Sequence, residues 1–180
     1  MFRELLFNEF RPYAVLTDEQ LDQLEAHYNA LVSWNRKLNL TRISNLEDAV
    51  RFHYCESLYL GIRLPAGPLK VADIGSGGGF PGIPVSILRP DLNVTLIESH
   101  QRKAVFLRDC SNLRVLSIRA KDCREHFDWI VSRAVLPEEV LSLKFAANFA
   151  LLVSDKNSPT KLPWGKDRAI MFHVKHDKIA

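Results

Sequence analysis

An apolar run, Lys70-Val71-Ala72-Asp73-Ile74, passes without a spacer into Gly75-Ser76-Gly77-Gly78-Gly79-Phe80-Pro81-Gly82. Glycine tolerates positive φ and lets a backbone approach a ligand closely. A strand that feeds such a turn and then a helix sets the turn at the carboxyl edge of a parallel sheet, where α/β folds bind ligands. The flanking sequence repeats the pattern. Residues 69–74 read as a strand, 82–88 as a helix, 93–98 as a strand and 101–110 as a helix. Further strands are expected at 114–118, 128–132 and 149–153, with 137–147 helical before the last. Short, nearly unbroken apolar strands alternating with helices imply a mostly parallel sheet with helices on both faces, the Rossmann-like α/β class.

Upstream of the turn the pattern is helical. Thr17-Asp18-Glu19-Gln20 has the capping-box form, and Leu21, Leu24, Tyr28, Leu31, Val32 and Leu38 follow at helical steps as one apolar stripe. Ser44-Asn45-Leu46-Glu47 has the same form and opens a helix expected to run to about Leu60. Pro65, Gly67 and Pro68 then end the helical region. The chain therefore divides into a helical region, 1–64, packed on the core and facing the substrate, and a Rossmann-like core, 65–180. Residues 155–167 read as loop and 169–175 as a closing strand, giving a sheet of about six strands.

At 180 residues, 47% hydrophobic and 25% charged, the chain is sized for one globular domain. A net charge of +3 does not by itself specify a polyanionic partner. Cys55, Cys110 and Cys123 are odd in number and lack paired spacing. Reduced, buried thiols without a metal are expected. No apolar run approaches the ~20 residues of a membrane span, and Arg3, Glu4, Glu9 and Arg11 interrupt any leader-like stretch. The expectation is a cytoplasmic, monomeric protein with no membrane partner.

Three residues narrow the ligand. Phe80 stands where a dinucleotide fingerprint would place its third glycine. Asp73 precedes the first glycine, where a carboxylate can meet an amino-acid end directly or through water. Glu98 closes the second strand, where an acidic side chain can accept from both ribose hydroxyls. Together they favour S-adenosylmethionine over a nicotinamide or flavin dinucleotide.

The segment DIGSGGGFPGIPVSILRPDLNVTLIESHQRKAVFL resembles the core of the bacterial 16S ribosomal RNA guanine-N7 methyltransferase family, the glucose-inhibited division protein B family. Asn35-Arg36-Lys37-Leu38-Asn39-Leu40-Thr41 is similar to its N-K-x-x-N-L-T segment, and His53 and Ser57 match its H-x-x-D-S-L. Residues 127–134, FDWIVSRA, resemble its F-D-x-x-x-S-R-A. The resemblance spans about Leu21 to Leu136. It implies transfer of a methyl group from S-adenosylmethionine to guanine N7 of 16S ribosomal RNA, with the small ribosomal subunit as partner. It also implies a cofactor pocket of Gly75, Phe80, Ala120, Lys121 and Arg133, to which the residue reading adds Asp73, Gly77 and Glu98. Asn39, His53, Arg36 and Lys37, with Arg42, are expected to face the RNA. Phe80 and Trp34 are read as stacking partners for a splayed base, with core packing the alternative for Trp34.

Three departures stand out. Lys121 replaces the family's usual glutamate, Glu56 replaces the aspartate of H-x-x-D-S-L, and the stretch after the fifth strand is expected to be short. Because guanine N7 carries a lone pair and no proton at neutral pH, no general base is required, and catalysis is expected to rest on alignment. Two other readings are compatible with the residues: a methyltransferase of this fold acting on another substrate, and a non-catalytic nucleotide- or RNA-binding module.

Overall fold

The structure, a computed structural model, describes residues 1–43 and 45–174. Among them, six strands form one sheet: β1 (Lys70–Ile74), β2 (Asn93–Ile97), β3 (Arg114–Leu116), β4 (Trp129–Arg133), β5 (Asn148–Ser154) and β6 (Arg168–Val174). Their order is β3-β2-β1-β4-β5-β6. Neighbouring strands are parallel except β5 and β6, which run antiparallel. The strand order reverses between β1 and β4, so a crevice opens there at the carboxyl edge.

Side chains alternate across the sheet, as the two-residue strand period requires. Val71, Val94, Leu96, Trp129, Val131, Ala150 and Leu152 enter one core, whereas Ala72, Ile97, Ile130, Phe149 and Leu151 enter the other. The first core is thick. It is built with α1 (Phe2–Phe10), α2 (Asp18–Leu38), α4 (Glu56–Arg63), α5 (Gly82–Leu88) and α6 (Gln101–Cys110). The second is thin, covered by α7 (Pro137–Leu141) and by loops carrying Cys123, Phe127 and Phe145.

Local expectations are met or corrected for identifiable reasons. Thr17 and Gln20 form a reciprocal capping box at α2. Val32 is 41% exposed and lies off the stripe; α2 instead buries Leu21, Leu24, His27 and Leu31. The cap of α3 (Leu46–Ala49) is Asn45, whose Oδ1 accepts from Asp48 N at 2.8 Å. Ser44, expected in that role, lies outside the described residues. The helix continues through a π-helical segment, Val50–Cys55, into α4. The expected helix 137–147 stops at Leu141, because the Phe145 carbonyl accepts from Phe127 N at 2.9 Å and Leu143 and Phe145 are drawn into the thin core. Strand 114–118 shortens to Arg114–Leu116, an edge strand.

The segment after β5 straps the two ends of the chain together. Trp164 stacks on Phe10 and donates to Glu9 Oε2 at 3.1 Å. Arg168, at the start of β6, pairs with the fully buried Glu56 of α4. The expected closing strand is present as β6, and the part of that expectation beyond residue 174 lies outside the described residues.

Candidate functional site

The turn after β1 is held from several sides. Gly75, Gly77 and Gly79 have φ of 69°, 53° and 89°, in the left-handed region. Gly79 N and Phe80 N donate to Ser76 O at 2.7 and 3.1 Å. Asp73 Oδ2 accepts from Gly82 N at 3.0 Å, fixing the start of α5. Gly75 remains exposed at the crevice.

Asp73 is fully buried, and its Oδ1 has no hydrogen-bond partner. Burial raises its pKa to about 7, against the lowering effect of the Gly82 hydrogen bond. Glu98 already accepts from Gly77 N (2.9 Å) and His100 N (2.7 Å), one bond on each oxygen. It therefore ties the turn to the end of β2, and only the remaining lone pairs are open to a further donor.

Across the crevice, Arg133 ends β4. Its Nη1 donates to Phe52 O at 2.6 Å, and its guanidinium lies 5.4 Å from the Phe80 ring centroid. It forms no salt bridge among the described residues; burial lowers its pKa to about 10, with Glu56 and Asp73 raising it and Arg168 lowering it. Ser132 Oγ donates to Ile74 O at 2.8 Å, joining the two strand ends. Ala134, next in the chain, has φ 60°. A non-glycine residue there marks a local constraint at the crevice.

On the β3 side, Ala120 and Lys121 lie in a 3₁₀ turn. With Ile74, Arg119, Val135 and Leu143 they line a cavity of about 320 Å³. The Lys121 side chain is exposed.

The structure buries His53, expected to face the RNA, together with Phe80, expected in the cofactor pocket and as a stacking partner for a base. His53 is 2% exposed, its Nε2 is 2.6 Å from Thr41 Oγ1, and its ring stacks on Phe80 at 4.6 Å. Burial, reinforced by Arg133 and Arg168, pushes its pKa down to about 2, so the ring is neutral. Phe80 is 5% exposed and is enclosed by His27, His53 and Tyr54. Neither ring is presented to an RNA surface, because the π-helical segment that carries His53 folds it directly over the turn. Trp34 packs against Phe106 and donates to Asp109 Oδ2 at 3.2 Å, the core-packing alternative. Cys55 and Cys123 are buried, Cys110 half-buried, and all three are free.

Asn39, Arg36, Lys37 and Arg42 stay exposed. Asn39 caps α2 in the left-handed conformation (φ 49°). Asn35 clamps the following loop through paired bonds to the Thr41 backbone at 2.9 and 3.0 Å. The Leu40 carbonyl lies beside Gly78, so the basic loop abuts the glycine turn. His27 and Tyr54, which pack behind the turn, escaped the sequence reading. A histidine within the apolar stripe of α2 was the signal available for the first.

A family model described as GidB, rRNA small subunit methyltransferase G, matches residues 20–152. The chain is 38% identical to ribosomal RNA small subunit methyltransferase G of Roseiflexus sp., over 73% of this chain and 62% of that one. The protein of that name from Desulforamulus reducens is 39% identical over 71% of this chain and 58% of its own length. That of Streptococcus pneumoniae is 36% identical over 92% of this chain and 78% of its own. The chain thus spans about three fifths of the length of the first two relatives. In fold it is similar to a solved structure from Methanococcus maripaludis assigned as an S-adenosyl-L-methionine-dependent methyltransferase. The TM-score is 0.55 at 10% identity, covering 87% of this chain and 94% of that one.

Proposed function

The chain belongs to the GidB family, rRNA small subunit methyltransferase G, and from that premise we propose that it transfers a methyl group from S-adenosylmethionine to guanine N7 of 16S ribosomal RNA. The observation that carries this reading is the pair of unmatched groups at the β1–β4 crevice. Arg133 is a cation without a carboxylate partner among the described residues, and Asp73 keeps one oxygen without a hydrogen bond. The amino-acid end of S-adenosylmethionine has the complementary charges. Its carboxylate suits the Arg133 guanidinium, and its ammonium suits Asp73 Oδ1, directly or through water.

Exposed Gly75 and half-buried Gly77 offer backbone for the approach, and the Glu98 lone pairs not used by Gly77 and His100 suit ribose hydroxyls. The cavity bordered by Ile74, Ala120, Lys121, Val135 and Leu143 accommodates a flat base. When bound, S-adenosylmethionine supplies an electrophilic methyl group on a sulfonium. No residue of this chain has to remove a proton from guanine N7, so the residues at the crevice serve to bind, orient and exclude water. Phe80, fixed by its neighbours, closes the floor beside Arg133.

The exposed Arg36, Lys37 and Arg42 make no ion pair among the described residues, which suits contact with RNA phosphates next to the crevice. Two measurements test the reading. Calorimetric titration of the chain with S-adenosylmethionine is expected to show one site, and no binding would refute methyl transfer. Expression in a strain lacking its own enzyme is expected to restore one N7-methylguanine in small-subunit RNA. A methylation map that stays unchanged, with cofactor still bound, would refute the RNA substrate.

A further inference from the structure

A side chain of the N-terminal helices hydrogen-bonds directly to the backbone of the glycine turn. His27 projects from the middle of α2 and is buried. Its Nε2 lies 3.0 Å from the Gly78 carbonyl oxygen, and its Nδ1 lies 2.9 Å from Tyr54 Oη. A carbonyl only accepts, so Nε2 carries the proton and donates, and Nδ1 accepts from the Tyr54 hydroxyl. The two partners thereby select the tautomer. Burial pushes the His27 pKa down to about 4, so this neutral form persists at physiological pH.

The peptide between Gly78 and Gly79 is therefore held at both ends. Its carbonyl accepts from His27, and its N–H donates to Ser76 O at 2.7 Å. A Cβ at Gly79 would come within 2.9 Å of His27 Nε2, so glycine and imidazole fit together as a pair. Phe80 follows directly and packs edge-on against both His27 and Tyr54.

We infer that His27 is a positioning residue for the cofactor site: by orienting the Gly78–Gly79 peptide it sets the turn backbone and Phe80 in the arrangement that receives S-adenosylmethionine. The inference rests on the methyltransferase reading above. Without the imidazole donor a buried carbonyl is stranded, other orientations of the peptide gain population, and affinity falls with the fraction of competent turns.

The test compares the wild-type chain with His27→Leu, which fills similar space without a donor, and His27→Gln, whose amide can still donate to Gly78 O. Calorimetry with S-adenosylmethionine and amide exchange at Gly79 are the readouts. His27→Leu is expected to bind about tenfold more weakly and to exchange the Gly79 amide about tenfold faster. His27→Gln is expected to stay within about threefold of wild type on both measures. A similar fall in Tm for the two variants, alongside this split, separates positioning from general packing. Wild-type affinity in a folded His27→Leu chain, or equal weakening in both variants, would overturn the inference. If the leucine variant does not fold, His27→Asn, whose shorter amide falls short of Gly78 O, replaces it against His27→Gln with the same criteria. Failure of the wild-type chain to bind S-adenosylmethionine would refute the methyltransferase reading, while the exchange comparison at Gly79 still decides the role of His27.

Discussion

The two walls of the crevice are built differently. The turn wall, residues 75–82, is fastened to β2 through Glu98 and the Ile97 carbonyl, to α5 through Asp73, and to the N-terminal helices through His27 and the His53–Phe80 stack. The opposite wall is a 3₁₀ turn after a three-residue edge strand, facing a five-residue helix over the thin core. Its cavity is bordered by the apolar Ile74, Ala120, Val135, Val140 and Leu143 and by the exposed Arg119, Lys121 and Glu139. On the proposed reading, the pinned wall holds the part of the cofactor next to the reacting methyl, where small displacements cost most. The loose wall takes the adenine, whose flat face needs a slot and a backbone edge more than particular side chains.

Substitutions in the pinned wall, and at Arg133 facing it across the crevice, should therefore have the largest effects. Gly75→Val places a β-branched residue at φ 69° with its Cβ 2.7 Å from Val135 Cγ2. Either the turn shifts or Val135 moves into the cavity, and calorimetry is expected to show S-adenosylmethionine affinity reduced more than about a hundredfold. Retained affinity would show that the turn is only a connection. Arg133→Met should weaken binding by about ten- to a hundredfold, with Arg133→Lys intermediate because a point charge lacks the guanidinium fork. An Arg133→Met variant of undiminished affinity would mean that this cation serves only Phe52 O and the face of Phe80.

The contrast between the walls was half legible in the sequence. Strands, the glycine turn and the α2 cap are local patterns, and they fall within one or two residues of expectation. The fastening of the pinned wall depends on contacts between segments far apart in the chain. The sequence placed His53 towards the RNA because Thr41 and Phe80, which enclose it, come from other elements. The Arg168–Glu56 and Trp164–Glu9 bonds join residues 112 and 155 positions apart, so the strap formed after β5 had no local signature. Glu56 is the same kind of case. In the sequence it is only a glutamate standing where the resembled motif has aspartate, and in the fold it is a buried partner for Arg168.

Burial of imidazoles in the pinned wall gives a pH signature. His27 and His53 have pKa values pushed down to about 4 and about 2, against an ordinary value of 6.5. Between pH 6.5 and 4 the unfolded chain takes up protons that the folded chain refuses, so their contribution to stability is lost as pH falls through that window. Asp73 acts in the opposite sense. Its pKa, raised from 3.8 to about 7, makes its contribution largest below pH 4 and lost as pH rises towards 7. Two histidines outweigh one carboxyl, so these three groups together should raise Tm as pH climbs from 4 to 6.5. In His27→Leu the slope should fall by about one proton over that interval. Thermal melts at closely spaced pH values check this, and an unchanged slope would mean that His27 is not held neutral. Asp73 adds a binding counterpart: near pH 6, pairing with the cofactor ammonium should release protons, visible as a dependence of the calorimetric heat on the buffer.

The smallest effect is expected at the loose wall. Lys121→Glu introduces the glutamate that the family resemblance led one to expect and reverses the charge of an exposed side chain beside the cavity proposed for adenine. Exposed charges are screened by water and salt. If the backbone and apolar slot hold the base, S-adenosylmethionine affinity should change by less than about threefold at physiological ionic strength. The variant should instead register in RNA binding, where an added carboxylate beside the crevice opposes phosphate and lowers the affinity most at low salt. A tenfold or larger change in cofactor affinity would show that the Lys121 side chain belongs to the pocket. The two walls would then differ in exposure but not in how tightly they specify the ligand, and the tolerance ascribed to the adenine end would have to be abandoned.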